Sequence, residues 1–473
     1  METLDSFSVI RELLVERKIT CVDLVNYYLK NIDDHQHLNA FIEVYANEAL
    51  ERAALIDQKI ENGTSGKLAG MIVAVKDVLS HKGHDLYCSS KILEGFEAQY
   101  NATAINNLLS EDAIIIGRTN CDEFGMGSSN ENSAFGPVKN NLDSGRVPGG
   151  SSGGSAVAVQ ANLCTVALGT DTGGSVRQPA AFCGIVGLKP TYSRVSRFGL
   201  AAYASSFDTI GIFSKSIADN ALVLEVIAGS DEYDSTVSNQ AVDQYTSFAS
   251  DKKYKIGYIR ETLHAEGLSP EIKERTEEAI ELLKSLGHEV KEVEFPLLDY
   301  VLPTYYILTT AEASSNLSRY DGVKYGYRSE NSEDLESMYK KSRSEGFRVE
   351  TKRRIMLGTF VLSASYYDAY YIKAQKVRKL IREQTQELLS NHDFLIMPTT
   401  PSTAFKIGEH TQNPMEMYLA DLFTVQASVS GVPAISVPFG TDSNGLPIGI
   451  QLLSNAFDEK KLFAISEILM HNN

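Results

Sequence analysis

The sequence lacks tryptophan, any excess of positive charge and any long apolar run. Among its 473 residues, 61 acidic side chains outnumber 44 basic ones, which gives a formal net charge of −17. Because nucleic-acid-binding surfaces are basic, this balance argues against direct nucleic-acid binding and favours solubility. No apolar run approaches the roughly 18 residues of a membrane-spanning helix. The start, METLDSFSVIRELL, lacks the basic and apolar regions of a secretory signal. We therefore expect a cytoplasmic protein.

Metal-binding patterns are also missing. The five cysteines form no C-x-x-C pair and are odd in number, so we expect buried, reduced thiols. The sequence has no HExxH motif and no cluster of histidine with aspartate, so we expect no metal site. The 43% hydrophobic and 22% charged fractions are ordinary for a globular protein, and the length allows one large domain or two.

Short apolar runs alternate with helical stretches along the chain. Buried strands are predicted at 71–78, 113–117, 165–169, 255–259, 393–398, 434–440 and 448–453. This alternation is typical of an α/β fold with a largely parallel sheet. Asp23 is a candidate cap for an N-terminal helix, and Ser269 caps a second helix that has Pro270 at its first position. The polar stretch 230–253 is the best candidate for a crossing or a subdomain boundary.

One stretch, Gly149 to Gly187, is unusually rich in small residues. It contains nine glycines and places serines inside glycine pairs, in GGSSGG and in TGGS. The only charged residues between Val147 and Leu188 are Asp171 and Arg177, which we expect to pair because an isolated buried charge is costly. Glycines let the backbone approach a ligand closely. The stretch is either a tightly packed core or a reaction site built from backbone N–H groups and hydroxyls.

Two familiar explanations of these glycines fit poorly. The string GGSSG matches the G-x-S-x-G elbow of α/β-hydrolases, but that elbow follows a buried strand, and here a polar loop precedes it. None of the nine histidines lies near either serine in sequence, which disfavours a Ser-His-Asp hydrolase. Neither glycine cluster is followed by the Lys-Ser/Thr pair of a phosphate-binding loop.

A lysine can activate a serine without histidine if burial lowers its pKa. Lys76 follows the apolar run MIVAV, which suits such a role, although a lone lysine at a strand end more often extends to solvent. The combination of Lys76 with both glycine-embedded serines resembles the amidase signature family, whose motif runs here from GGSSGGSA through GTDTGGSVRQPA.

The resemblance implies an α/β fold with a mixed central sheet covered by helices on both faces. It implies one large amidase domain over residues 1–473. Within it we expect N-terminal helices over 1–60, a signature core over 67–220, a helical insertion over 301–390 and a return to the core over 393–473.

The family's catalytic set, Ser-cisSer-Lys, is implied for this chain by the same motif. Ser175 becomes the nucleophile, Lys76 the terminal base and Ser151 the proton relay, with a cis peptide bond between Gly150 and Ser151. The backbone N–H groups of Thr172, Gly173, Gly174 and Ser175 would form the oxyanion hole. Asp171 and Arg177 take structural roles beneath that loop.

Further segments, among them RVPGGSSGGSA and YYDAYYIKAQKVR, resemble the glutamine-hydrolysing subunits of aminoacyl-tRNA amidotransferases over essentially the whole chain. The resemblance implies that ammonia from glutamine passes to a partner, the B subunit, which uses ATP and Mg to amidate tRNA-bound glutamate or aspartate. The heterotrimer is completed by a small C subunit. The resemblance implies no cofactor in this chain and leaves tRNA mainly to the partner. Within the group, glutamine is held by residues that correspond to Tyr306, Arg354 and Asp421.

The rival interpretation is a free-standing amidase acting on small or fatty amides, which would not need Arg354 and Asp421. The family commonly has methionine at the position of Cys121 and alanine at that of Gly125. Neither difference touches the predicted catalytic set, so we expect both to affect local packing only.

Overall fold

Eleven strands form one continuous sheet in the part of the chain that the computed structural model describes, residues 4–249, 251–410 and 414–472. The strands are β1 (Phe41–Val44), β2 (Ile72–Lys76), β3 (Ile114–Thr119), β4 (Val166–Asp171), β5 (Val186–Lys189), β6 (Thr209–Ser214), β7 (Lys255–Ile259), β8 (Glu289–Val293), β9 (Phe394–Pro398), β10 (Ala434–Thr441) and β11 (Pro447–Ser454). Their order across the sheet is β1-β3-β2-β4-β6-β5-β10-β11-β9-β7-β8. All seven predicted strands are present.

Sixteen α-helices accompany the sheet within the same described residues. They are α1 (Phe7–Val15), α2 (Cys21–Asp34), α3 (Ala46–Glu61), α4 (Thr103–Ser110), α5 (Gly153–Gln160), α6 (Arg177–Cys183), α7 (Ile217–Ile227), α8 (Arg260–Leu263), α9 (Pro270–Ser285), α10 (Leu298–Asn316), α11 (Leu335–Gly346), α12 (Val349–Val361), α13 (Lys373–Asn391), α14 (Pro414–Leu419), α15 (Val425–Ser430) and α16 (Glu459–His471). A π-helical turn, Tyr367–Ile372, precedes α13. The chain is thus an α/β fold with a mixed sheet.

The sheet is less parallel than the alternation of elements predicted. Parallel pairing joins β2 to β3 and β4 at one end, and β7 to β8 and β9 at the other. The strands between these two groups pair antiparallel. The mixed sheet implied by the resemblance is confirmed, and the largely parallel sheet predicted from the alternation was wrong. Central antiparallel strands such as β6 are buried on both faces, so their sequences are continuous apolar runs just as those of parallel strands are.

Two local predictions are also corrected. The N-cap of α2 is Thr20, not Asp23; Asp23 is the third helical residue and completes a capping box by accepting from the Thr20 backbone N–H at 3.0 Å. Ser269 occupies the N-cap of α9, but its side chain makes no capping hydrogen bond. Within the polar stretch after α7, Tyr245 is buried, and its hydroxyl accepts a hydrogen bond from Arg194 Nε at 2.6 Å. This part of the stretch therefore packs against the residues that follow β5.

The five cysteines are free and buried, as predicted. Among the described residues, no helix combines the length and apolar character needed to cross a bilayer. The predicted insertion over 301–390 contains most of α10, followed by α11, α12 and most of α13, and α12 packs against α10 through Gly358. A β-carbon at Gly358 would lie 1.9 Å from the Thr310 carbonyl oxygen, so only glycine permits this approach of the two helices.

Candidate active site

Lys76, the last residue of β2, lies fully buried and is held by three hydroxyl groups. Its Nζ donates to Ser151 Oγ at 2.7 Å, to Ser152 Oγ at 2.8 Å and to Thr170 Oγ1 at 2.8 Å. Burial lowers the pKa of the Lys76 ammonium, and no carboxylate forms a salt bridge with it in the described residues. A lysine in these surroundings can exist as a neutral amine and act as a base.

The two predicted catalytic serines lie on adjoining backbone segments. The Gly150–Ser151 peptide bond is cis, as predicted, and the Ser151 hydroxyl contacts Lys76. The backbone N–H of Ser152 donates to the Ser175 carbonyl at 3.2 Å, which ties the two serine loops together. Ser175 is 8% exposed, more than the 1% of Ser151, and its hydroxyl makes no hydrogen bond within the described residues. It is therefore the more accessible of the two hydroxyls.

Asp171, at the end of β4, organises the loop that carries Ser175. It accepts hydrogen bonds from the backbone N–H groups of Gly174 at 2.9 Å and Val176 at 3.2 Å. Arg177 pairs with both carboxylate oxygens, at 2.8 and 3.0 Å, so the predicted partnership is confirmed. Burial opposes ionisation, but Arg177 outweighs it and the pKa of Asp171 lies below its ordinary value. A bidentate, buried pair of this kind fixes the loop's shape.

Two glycines set the close approaches around this loop. A β-carbon at Gly173 would meet the Tyr305 ring at 2.4 Å, and one at Gly174 (φ 134°) would meet Thr424 Oγ1 at 2.2 Å. Within the described residues, the backbone N–H groups of Thr172, Gly173 and Ser175 have no acceptor, whereas that of Gly174 donates to Asp171. The oxyanion hole predicted from Thr172 to Ser175 stays a prediction.

The three residues predicted to hold the amino-acid head group lie together. Tyr306 donates from its hydroxyl to Asp421 Oδ2 at 2.8 Å. Ser128 Oγ lies 2.9 Å from both Asp421 oxygens. Burial raises the pKa of Asp421 to about 6, against the opposing hydrogen bonds and the Arg354 charge. The Arg354 guanidinium lies 5.5 Å from the centre of the Tyr306 ring.

Arg354 is buried on the inner face of α12 and positioned by two neighbours. Its Nε donates to Glu350 Oε1 at 2.9 Å, one helical turn earlier, and its Nη1 donates to the Tyr203 hydroxyl at 3.0 Å. Its Nη2 has no acceptor within the described residues. A cavity of about 160 Å³ adjoins Arg354, Glu350 and Tyr418. Arg354 is paired with Glu350, whereas Asp421 has no cationic side chain in a salt bridge with it among the described residues, so Arg354 Nη2 and the Asp421 carboxylate are the groups left to meet a ligand.

Sequence reasoning missed six residues of this site. They are Ser152 and Thr170 beside the lysine, and Ser128, Tyr203, Glu350 and Tyr418 around the head-group residues. Ser152 was within reach, since it stands in the same GGSSGG string as Ser151. Glu350 could also have been predicted, because a glutamate four residues before an arginine on a helix commonly pairs with it. The other four carried no local pattern.

The two departures from the family pattern lie closer to the site than predicted. A β-carbon at Gly125 would lie 3.6 Å from Ser151 Oγ and 4.0 Å from Lys76 Nζ. The Cys121 thiol is buried and close enough to Lys76 for the two to interact electrostatically. Both positions therefore adjoin the predicted catalytic set, contrary to the expectation that neither touches it, and the expectation that they affect local packing only stays a prediction.

One group of potential metal ligands is present in the described chain, formed by Glu48, His81 and His84. The two imidazole rings are stacked, with centroids 4.5 Å apart and an interplanar angle of 23°. Because an imidazole lone pair lies in the ring plane, stacked rings do not aim at one ion. His84 Nε2 is already hydrogen-bonded to Glu48 at 2.8 Å. The absence of a metal stays a prediction.

Comparisons with known protein families, sequences and structures identify relatives that agree with one another. A family model described as Amidase matches residues 23–463. The A subunit of the Chlorobium phaeobacteroides Glutamyl-tRNA(Gln) amidotransferase is 52% identical over 471 residues, covering 99% of this chain and 99% of that protein. The crystal structure of the A subunit of the Thermotoga maritima Glutamyl-tRNA(Gln) amidotransferase superposes with a TM-score of 0.78 at 40% identity, covering 97% of this chain and 95% of its own.

A more distant structure shows how widely this fold is used. The 6-aminohexanoate cyclic dimer hydrolase, at 24% identity, superposes with a TM-score of 0.87 over 100% of this chain and 97% of its own. At this identity the likeness concerns the fold alone, and substrate choice must be argued from the site. The family model, the full-length relatives and the lysine–serine site agree: the chain belongs to the amidase family.

Proposed function

We propose that the chain is the glutamine-hydrolysing subunit of a tRNA-dependent amidotransferase. The observation that supports this most is the placement of one buried cation, Arg354, and one buried anion, Asp421, on the walls of one site. Thr424 links that site to the loop of Ser175, because its Oγ1 donates to the Gly173 carbonyl at 2.6 Å. A free amino acid carries both charges, and a simple amide carries neither.

In the proposed reaction, Lys76 begins as a neutral amine. It donates its two N–H groups to Ser152 and Thr170 and accepts the Ser151 hydroxyl proton with its lone pair. Ser151 in turn takes the proton of Ser175, whose oxygen attacks the side-chain carboxamide carbon of glutamine. The tetrahedral intermediate collapses as its nitrogen takes the relayed proton, so that ammonia leaves and an ester remains on Ser175. Water then attacks the ester, releasing glutamate and restoring the serine.

The head group of glutamine would be read by opposite charges. The Arg354 guanidinium binds the α-carboxylate, and Asp421 with the Tyr306 hydroxyl binds the α-ammonium. Ser128 and Glu350 keep these two side chains in place, since each is hydrogen-bonded to one of them. Asp421 is a buried anion whose counter-ion would come from the substrate, and this favours glutamine over uncharged amides. Arg354 is already paired with Glu350 and adds its free Nη2 to the recognition of the α-carboxylate.

We further propose that the chain works with two partner subunits. Ammonia passes to a B subunit that amidates Glu-tRNA(Gln) or Asp-tRNA(Asn) with ATP and Mg, and the heterotrimer is completed by a C subunit. The chain itself uses no cofactor and works in the cytoplasm. Its net charge of −17 supports leaving tRNA to the partner, because phosphate backbones repel an acidic surface.

The decisive experiment measures steady-state ammonia release from glutamine in three conditions: the chain alone, the chain with the B and C subunits, and the complex with charged tRNA and ATP. We expect a low kcat for the chain alone and a rise with each addition, since assembling the catalytic geometry acts mainly on the transition state. Equal kcat values in all three conditions would instead indicate a free-standing amidase.

A further inference from the structure

The outer face of α12 exposes a concentration of large apolar side chains. Of the 21 such side chains exposed in the described residues, eight lie between 349 and 370. We call six of them the apolar ridge: Val349, Met356, Leu357, Phe360, Tyr366 and Tyr370. Met356 is 72% exposed and Val349 67% exposed. Contiguous exposed apolar surface of this kind marks an interaction site.

The side chains of the ridge form one continuous surface rather than isolated exposed positions. Phe360, Tyr366 and Tyr370 pack on one another, with ring centroids 4.2 Å apart for Phe360 and Tyr366 and 5.8 Å apart for Phe360 and Tyr370. A shallow groove of about 580 Å³ runs between Val349, Met356, Leu357 and Phe360. All nine residues from Leu362 to Tyr370 are exposed. Aromatic and methionine side chains are those enriched at the cores of protein interfaces.

The helix cannot turn to bury this face against its own chain. Gly358, on the opposite face, touches the Thr310 carbonyl of α10, and the buried Arg354 points inward to the site. Glu123 accepts a hydrogen bond from the Arg348 backbone N–H at 2.9 Å and so anchors the start of α12 to the core. The orientation of α12 is therefore fixed, with Arg354 on one side and the ridge on the other.

The charge around the ridge indicates its partner. Residues 340–379 contain 11 basic and 3 acidic side chains in a protein whose net charge is −17. A complementary surface is apolar at its centre and acidic at its rim. Three of the six ridge residues, Val349, Met356 and Leu357, are aliphatic and cannot stack on bases. The three aromatic rings pack on one another rather than standing apart as separate platforms, which favours a protein over RNA.

We propose that the apolar ridge is the docking surface for the ammonia-receiving partner, which presents apolar side chains rimmed by carboxylates. The inference rests on the proposed function, and it goes further by naming the face. Because α12 carries Arg354 on its inner side, docking there adjoins the glutamine site directly. The ridge then couples assembly to the position of the residue that binds the substrate.

The test compares Met356→Asp/Phe360→Asp with the matched control Leu55→Asp, whose leucine is 60% exposed on α3. Binding of each variant to the purified recombinant B and C subunits is measured by calorimetry. We expect the ridge variant to raise Kd at least tenfold, the control to leave it within twofold, and wild-type affinity to fall as salt rises. Glutamine hydrolysis by each isolated chain and its melting temperature should be unchanged.

Partner affinity within twofold of wild type for the ridge variant would overturn the assignment. Ridge-dependent self-association in light scattering, or ridge-dependent RNA binding, would overturn it too, because the occupant would then be a second copy or a nucleic acid. Failure of the proposed function would give a different result. The wild-type chain would then neither bind the partners nor hydrolyse glutamine, whatever the ridge variant does.

Discussion

Residues 147–191 and residues 349–370 both contribute to the site, but the first region is almost entirely buried and the second exposes many of its side chains to solvent. In the first region only Gln160, Asn162 and Gly184 are not buried. In the second, a single helix face carries Arg354 inward and the other face leaves Met356 and its neighbours in water. The first region builds catalytic geometry from its own contacts. The second leaves surface that another molecule can complete.

The two regions differ in how strongly their own internal contacts constrain them. The buried region is held by internal hydrogen bonds, such as those of Asp171 to Arg177 and to loop N–H groups. Its sequence is constrained at nearly every position by close contacts. The exposed region has few such internal constraints. The largest effects of mutation on chemistry should therefore fall in the buried region, and effects on substrate choice and assembly in the other.

The largest effect is expected from Ser175→Ala. Loss of the nucleophile should lower kcat for glutamine hydrolysis by about 10³-fold or more. The fold should persist, because the Ser175 hydroxyl makes no internal hydrogen bond in the described residues. Ammonia release and circular dichroism melting are the two measurements. Retention of a tenth of wild-type turnover would exclude Ser175 as the nucleophile.

Lys76→Met should be nearly as damaging, because the members of a catalytic set act as a unit. Lys76→Arg should not rescue activity, since arginine stays protonated and cannot serve as a base. Ser151→Ala should leave more residual turnover, with water carrying the proton between lysine and nucleophile. Ser152→Ala supplies the control, since it removes one lysine contact and leaves the relay in place. An active Lys76→Arg enzyme would refute the base assignment.

The sequence predicted part of this buried region. The apolar flank before Lys76 suggested that the lysine is buried, and the roles of Lys76, Ser151 and Ser175 came from the resemblance to the family motif. The contact of Lys76 Nζ with Ser151 Oγ agrees with those roles, which stay predictions. Strand direction was not predictable, because a strand buried on both faces is apolar in either direction. Ser128 and Tyr203 were not predictable either, since only the tertiary fold brings them to Asp421 and Arg354.

A smaller effect is expected from Arg354→Ala and Asp421→Asn. Each should raise KM for glutamine by the equivalent of about 2–5 kcal/mol, because a charge on the substrate loses its partner. An uncharged primary amide should be hydrolysed almost as before. Lys352→Ala, two residues from Arg354 on α12, is the matched control. Equal losses with both substrates would assign these residues a structural role and favour the free-standing amidase.

The pH dependence of KM tests whether Asp421 binds the α-ammonium group of glutamine. Burial raises the pKa of this carboxyl to about 6, so it is ionised at pH 7.5 and becomes neutral as pH falls through 6. A neutral carboxyl does not attract the α-ammonium of glutamine. KM should therefore rise by about tenfold for each pH unit below 6, and Asp421→Asn should show no such rise. Parallel profiles for wild type and variant would place the titrating group elsewhere.

The smallest effect is expected from Gly125→Ala, which tests how tightly the buried region is packed. Gly125 has φ 73°, a backbone conformation that costs an alanine about 1 kcal/mol. The added β-carbon would lie 3.6 Å from Ser151 Oγ and 4.0 Å from Lys76 Nζ, which is ordinary contact rather than a clash. Urea unfolding should therefore show a loss of about 1 kcal/mol, while kcat stays within a few-fold of wild type. A hundredfold loss of kcat at unchanged stability would mean that Ser151 and Lys76 need open space at this position to move during turnover.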